Sequence, residues 1–463
     1  MDTDRYNRPQ VAPPVEYRLS NGRYAVSFSE VGSGLSSWDW IGLTRGRADP
    51  VIDDLGLVLY LRDLETGRFW SAGYQPTRVP ASLYRCRAVG EGPEARVELE
   101  RETEGLLTRL TLGVEADSDL ECRRLSLQNR SARARRIEVT SYLEVVLNDP
   151  NADAAHPAFS KLFVQTDRDT ASGALLARRR PRGAEERWPW LVHAVAGAQP
   201  IEWETDRRHF LGRGGSLHTP AALLGTEPLS GALGSVLDPI LALRVVVELA
   251  PEGEEEILLL TGAAEGREAA LDLIRPFREG RDTRSPARRS PQPPESATTT
   301  VPPCTETNAI DRDGEALRCF NGHGGFSPDG RVYVIRLPWN GTALHRPPQP
   351  WINVVANERA GFLVSETGAG YTWCRNSQAN RLTPWFNDPV GDPHGEALYL
   401  RDETEGDSAE VPRVGEVWSP LPGPRPAPGP RGGPRPCLIQ RPRARPGFRP
   451  TTAGRGGMPS STG

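Results

Sequence analysis

From Val15 to about Thr261 the chain alternates apolar and polar residues with a period near two, broken by turn residues, and shows little helical spacing. In "RIEVTSYLEVVL", Ile137, Val139, Leu143, Val145 and Leu147 fall on one side of a strand, and Glu138, Thr140 and Glu144 on the other. "LLTRLTLGV" repeats the pattern through Leu106, Leu110, Leu112 and Val114. "ILALRVVVELA" and "EEILLLTG" are continuously apolar, which predicts strands buried on both faces. Turn signals such as "EGPEA" and "APEGEE" separate these runs, and the whole stretch predicts a large antiparallel sandwich.

The pattern then changes. In "GREAALDLIRPF", Ala270, Leu271, Ile274 and Phe277 stand at helical spacing until Pro276 disturbs it, so a short helix is expected over 266–280. Residues 281–313 are rich in Pro, Ser, Thr and Arg and read as a disordered linker. A second β-rich stretch covers 314–422, where "SPDGR" (Ser327 to Arg331) predicts a turn between Phe326 and a strand through Val332, Val334 and Leu337. Residues 1–14 read as a loose terminus, and 423–463, rich in Gly, Pro and Arg without an acidic residue, as a disordered tail.

The two β-rich stretches share an internal repeat. "SEVGSGLSSW" (29–38) matches "SETGAGYTW" (365–373), and "ADPV" (48–51) matches "NDPV" (387–390). Seven residues later each copy has "LYLRD", at 59–63 and 398–402, followed by "FWS" (69–71) or "VWS" (417–419). Four islands in one order define two related modules.

Bulk properties add exclusions. The 463 residues allow two or three domains. A net charge of −4 gives no electrostatic case for nucleic acid or an acidic membrane. Lys161 is the only lysine among 56 basic residues, the mark of compositional bias toward Arg. The six cysteines lack metal-ligand spacing and are expected as isolated thiols, with disulfides the alternative. No run nears the ~18 apolar residues of a membrane span, so a soluble, cytoplasmic chain is expected.

Longer motifs carry a resemblance. "NGHGGFSPDGRVYVIRL", "PWINVVAN", "GFLVSETGAGYTWCRNSQANRLTPWFNDPVGDPHGEALYLRD" and "VWSPLP" resemble the N-terminal β-supersandwich region of glycoside hydrolase family 94, formerly glycosyltransferase family 36. Within that family the C-terminal part of cyclic β-1,2-glucan synthases is most similar. "NGRYAVSFSEVGSGLSSWDWIGLTRGRADP", "YLRDLETGRFWSAGYQPT", "DAAHPAFSKLFVQTD" and "LSGALGSVLDPILALR" extend the match to the first module, so that it covers 15–280 and 315–422.

The resemblance implies an all-β chain of two tandem antiparallel β-supersandwich modules, 15–265 and 314–422, the second truncated. It also implies a role in β-glucan metabolism by phosphate-dependent cleavage or formation of a glucosidic bond, with β-glucan or gluco-oligosaccharide as partner. The family's general-acid Asp and phosphate-binding residues lie in an (α/α)₆ barrel after the second sandwich. This chain is expected to stop before that barrel, so no catalytic residue, cofactor or metal is assigned. A helical segment normally joins the sandwiches, and the Pro/Ser linker stands in its place. Three readings follow: a non-catalytic carbohydrate-binding portion, a subunit whose barrel is on another chain, or a remnant without function.

Sugar recognition needs aromatic faces for the apolar side of a pyranose and planar polar groups for its hydroxyls. Tyr371, Trp373, Asn376, Asn380, Arg381, Trp385, Asn387 and Asp388 supply both in one stretch. Trp38, Trp40, Arg45, Arg47 and Asp49 are the first-module set. The alternative is that the Trp residues are core and the Asp-Pro pairs turn formers. Asp153 with His156 is too small a set for a metal site. "EVGSG" and "ETGAG" lack the spacing and context of phosphate loops and read as glycine-supported β-turns. Glu366 and Asp388 are the one carboxylate pair considered for glycoside cleavage.

Overall fold

The computed structural model describes residues 14–46, 52–198, 200, 202–279, 316–338, 344–401, 408–411 and 437–439. Contacts divide the chain into Met1–Thr298 with Asn387–Asp392, and Thr299–Phe386 with Pro393–Gly463.

The strands of the first unit are β1 (Glu16–Ser20), β2 (Tyr24–Ser29), β3 (Gly34–Trp38), β4 (Ile41–Thr44), β5 (Val58–Asp63), β6 (Phe69–Ser71), β7 (Leu83–Val89), β8 (Arg96–Thr103) and β9 (Leu106–Val114). They continue with β10 (Leu120–Asn129), β11 (Arg135–Asn148), β12 (Val164–Arg168), β13 (Leu175–Arg179), β14 (Trp190–Ala196), β15 (Glu202–Asp206), β16 (Pro239–Leu249) and β17 (Glu254–Ala264). One sheet runs β1-β2-β3-β4-β11-β16-β15, with β5 and β6 joined through β11; the other runs β12-β13-β14-β17-β10-β9-β8-β7. Every pairing given for these strands is antiparallel, as expected from the sequence.

One apolar core brings residues of the two sheets together: Phe28, Leu61, Val139 and Leu143 from the first with Leu99, Leu110 and Leu125 from the second. Each such side chain contributes about 1.5–3 kcal/mol by leaving water. A second cluster gathers Tyr60, Tyr142, Phe210, Leu217, Ile240 and Val390. A third sets Leu176, Val192, Leu258 and Leu260 against Ala270 and Ile274 of a helix. This explains the continuously apolar runs, because β16 and β17 bury residues of both parities.

Five helices are described in this unit: α1 (Pro150–Ala155), α2 (Pro157–Lys161), α3 (Arg207–Leu211), α4 (Ala221–Leu224) and α5 (Arg267–Glu279). The last matches the expected short helix, except that it continues through Pro276. Pro276 lies in the final turn, where its missing N–H removes a single backbone bond near the frayed end.

The second unit is thinner. It contains β18 (Gly324–Phe326), β19 (Tyr333–Ile335), β20 (Ile352–Ala356), β21 (Ala360–Ser365), β22 (Gly370–Cys374), β23 (Leu398–Arg401), β24 (Ser408–Val411) and β25 (Cys437–Ile439). These form the small sheets β18-β19-β25, β20-β21-β22 and β23-β24. Of the tail expected to be disordered, 423–463, only Cys437–Ile439 lies among the described residues, as β25. Cys437-Leu438-Ile439 is an apolar triplet in that tail, and it pairs with Tyr333–Ile335.

The repeat is visible in the pairing. Phe28 opposite Gly34 and Val26 opposite Ser36 correspond to Val364 opposite Gly370 and Phe362 opposite Thr372. A Cβ on Gly34 would lie 2.0 Å from the Ser27 oxygen, and one on Gly370 2.2 Å from that of Leu363, so both hairpins require glycine there. The second copy is one residue shorter, and the register shifts with it. Trp373 stands opposite Gly361, the place of Ser37 opposite Ala25, although the sequences equate Trp373 with Trp38. Asp39 and Arg375, each two residues beyond these matched positions, share positive φ values of 51° and 61°.

Candidate functional site

The densest polar constellation is a buried charge network in the first unit. Short local devices place each member. Arg45 follows β4, with its N–H bonded to the Glu144 carbonyl of β11. Asp149 caps α1 by accepting from the Ala152 N–H, which sets Asp153 on that helix; Lys161 ends α2. Asp206 caps α3, which begins with Arg207. Asp388 accepts from the Val390 and Gly391 N–H groups, while the Val390 carbonyl accepts from Gly214.

Their side chains then close on one another. The Arg207 guanidinium holds Asp388 in a two-pronged pair at 2.7 and 2.8 Å, reaches Asp238 at 3.0 Å and turns Nε to Glu144 at 3.0 Å. Lys161 Nζ lies 2.5 Å from Asp238 and 3.9 Å from Glu144. Arg45 Nε is 3.0 Å from Glu144, and Nη2 bonds Asp153 at 3.1 Å. Tyr142 donates to Glu144 at 3.0 Å.

Burial alone would raise the carboxyls. For Glu144 the charges of Arg207, Lys161 and Arg45 overcome it and bring the group down to about 2. For Asp388, burial is outweighed by the hydrogen bonds and charge of Arg207, which hold it well below the carboxylate range. At Asp238 burial wins over Lys161 and Arg207, and its affinity for the proton is raised. Glu144 and Asp388 are therefore fixed anions at neutral pH. The network clamps five segments distant in sequence and offers neither of these two groups as an acid.

Two further buried polar groups are likewise engaged. His193 lies between Ser141 (2.8 Å) and Thr261 (3.0 Å), and burial followed by the Arg123 charge lowers it to about 3, leaving it neutral. Glu121 pairs with Arg123 at 2.6 Å and accepts from Ser36 at 2.5 Å.

Of the residues expected from sequence, Trp38 is buried in the core and donates to Asp119 at 2.7 Å. Trp40 is 61% exposed beside Trp188. Arg45 and Asp388 belong to the charge network, while Arg47 and Asp49 lie outside the described residues. Asn387 is exposed, with φ of 49°.

In the second unit, Tyr371 and Trp373 are buried; Tyr371 stacks on Trp385 with centroids 5.3 Å apart and meets Trp373 at a tilt, 5.1 Å away. They form the small core of that unit, so their rings lie against one another instead of facing solvent. Asn376 accepts from the Gln378 and Ala379 N–H groups as a turn former, and exposed Asn380 gives its carbonyl to Cys374. Arg381 is exposed, its guanidinium 5.8 Å from the Tyr371 ring. Glu366 is buried and accepts from the Trp351 N–H at 2.7 Å.

Asp153 is held by Arg45, and no group of three metal-binding side chains occurs among the described residues. A hollow of about 310 Å³ lies against Phe362, Val364, Gly370 and Thr372. Its Glu396 carboxylate accepts from Thr372 at 2.8 Å and from Thr383. Thr372 occupies the place of Ser36, whose partner is Glu121.

Sequence reasoning missed Glu144, Lys161, Arg207 and Asp238. One signal was available: a chain that otherwise uses Arg keeps a single lysine, and it sits buried between two carboxylates.

The chain matches the Glycosyl hydrolase 94, supersandwich domain over residues 3–280 and 331–431, and it belongs to that family. Among curated proteins it is 27% identical to cyclic beta-(1,2)-glucan synthase NdvB of Rhizobium meliloti, over 84% of this chain and 20% of the synthase. That alignment runs to 575 positions, longer than this chain, so the synthase has inserted segments opposite it. Solabiose phosphorylase of Paenibacillus borealis is 29% identical over 47% of this chain and 27% of the phosphorylase. The chain thus spans about a fifth to a quarter of these relatives.

Among solved structures, a bacterial glucoamylase complexed with acarbose aligns over 60% of this chain and 38% of its own, at 8% identity and a TM-score of 0.35. A putative aldose 1-epimerase from Escherichia coli K12 aligns over 54% and 99%, at 11% and 0.32. No helix among the described residues is long and apolar enough to cross a membrane.

Proposed function

We propose that this chain acts in β-glucan metabolism as a carbohydrate-binding β-supersandwich portion of a family 94 protein, and that its described residues contribute recognition without bond cleavage. The observation that carries the absence of bond cleavage is the state of Asp388 and Glu144. A glycosidic general acid needs a carboxyl with a raised pKa facing substrate. Here Asp388 is locked by Arg207 far on the anionic side, Glu144 is buried among three cations, and Asp238, the raised member, is buried against Lys161 and Arg207 and faces no substrate-accessible surface. Membership of the family and the likeness to a β-1,2-glucan synthase over most of this chain support β-linked glucan as the ligand class.

The test is a phosphorolysis assay, incubating the full chain with β-1,2-gluco-oligosaccharides and inorganic phosphate and following glucose 1-phosphate. No turnover is expected. Turnover abolished by Asp388→Asn would overturn the reading.

A further inference from the structure

Trp40 occupies a position that folding does not explain. Trp38 and Ile41 are paired across a two-residue turn made by Asp39 and Trp40. Asp39 takes the left-handed conformation that Asp tolerates, but nothing in such a turn calls for an indole. Trp38 and Ile41 are buried, while Trp40 stands in solvent.

Trp40 is not isolated. Its ring centroid lies 5.9 Å from that of Trp188, with the planes at 57°, so the two indoles pack on each other as a tilted pair. Trp188 is itself held in place. The buried Arg179 guanidinium lies 5.2 Å from the Trp188 ring and 5.1 Å from that of Phe163, and donates to the Ser160 carbonyl at 3.0 Å. Phe163 in turn packs edge-on with Phe159, which is 57% exposed. At the rim, Glu186 accepts from the Trp188 Nε1–H at 3.3 Å and pairs with Arg182 at 3.2 Å.

We propose that the exposed Trp40 indole, packed on Trp188, is the contact site for a β-linked gluco-oligosaccharide. The apolar face of one pyranose stacks on the solvent-facing side of the Trp40 ring. Its hydroxyl edge meets the Glu186 carboxylate and the Arg182 guanidinium, an acceptor and a donor side by side. The Arg179 support fixes Trp188 before ligand arrives, so ordering costs little on binding. This assignment rests on the reading of the chain as a glucan-binding portion and names its site.

The experiment is a tryptophan-fluorescence titration of the full chain with β-1,2-glucotetraose, run on the native protein and on Trp40→Ala, Trp40→Phe and Leu224→Ala. Trp40 and Leu224 are both exposed, so neither alanine should shift the urea midpoint. Trp40→Ala is expected to weaken binding at least about tenfold. Trp40→Phe should recover part of the loss, and Leu224→Ala should match native. Native-like affinity in Trp40→Ala would overturn the site while leaving glucan binding intact. Absence of binding by the folded native chain would overturn both.

Discussion

Replacing Arg207 by Ala tests the charge network at its centre. The guanidinium serves Glu144, Asp238 and Asp388 at once, and its removal leaves three buried carboxylates to Lys161 and Arg45. Breaking one buried pair by deleting a partner costs about 3–5 kcal/mol, and three partners place this substitution at the upper end or beyond. The pH dependence gives a second signature. In the native chain Glu144 is depressed to about 2, so its contribution is present above the unfolded carboxylate value and lost only as pH falls through about 2.

Without Arg207, burial dominates at Glu144 and Asp388, their folded pKa values rise, and ionisation opposes folding as pH rises. The deficit should therefore be largest near pH 7 and shrink toward pH 4.5. Urea unfolding by circular dichroism and fluorescence at the two pH values measures it. Arg207→Lys should recover part of the charge and none of the two-pronged geometry. A loss below about 1 kcal/mol at pH 7, the level of an exposed pair, would refute the network's role. So would a loss equal at both pH values.

Lys161→Arg should destabilise the first unit by about 1–3 kcal/mol through overpacking, because the ammonium already lies 2.5 Å from Asp238; a neutral result in urea melts would argue against a fitted site. Arg101 is fully buried and donates to the Ser71, Gly73 and Val79 carbonyls. Arg101→Met should therefore leave the Ser71 and Val79 carbonyls without this donor, at about 1–3 kcal/mol each, while Gly73 keeps the Ser71 hydroxyl; the loss is read as a lower unfolding temperature. Cys319 is exposed, whereas burial pushes the Cys86 thiol up to about 12 and raises that of Cys122 as well. Thiol labelling at pH 8 with mass mapping should find Cys319 modified in the native chain, and Cys86 and Cys122 only after denaturation.

Much of the fold could be read because it is written in local periodicity. β11, β9, β16 and β17 fall where alternating or continuous apolar runs put them, and the repeat marks equivalent hairpins in the two units. Register was less accessible: the one-residue difference after Gly370 moves Trp373 to the place of Ser37, which motif matching conceals. The tail strand escaped because its pairing with Tyr333–Ile335 is a long-range event that three apolar residues hardly announce.

The charge network was illegible for the same reason. Arg45, Glu144, Arg207 and Asp388 lie far apart in sequence, and an ion pair has no periodicity. Tyr371, Trp373 and Trp38 look like a sugar platform in sequence, yet they pack inward, while Trp40 alone of that aromatic set stands mostly in solvent. Trp188 acquires its place from packing with Trp40 and Arg179.

Glucan recognition is the property on which the chain's proposed role rests. Calorimetric titration of the full chain with β-1,2-gluco-oligosaccharides, with cello-oligosaccharides alongside, tests it most directly. Saturable heat with the β-1,2-linked series, weaker or absent with the β-1,4-linked one, is the predicted result. A folded chain giving no heat with either series would contradict the account and leave the sandwiches as scaffolding alone.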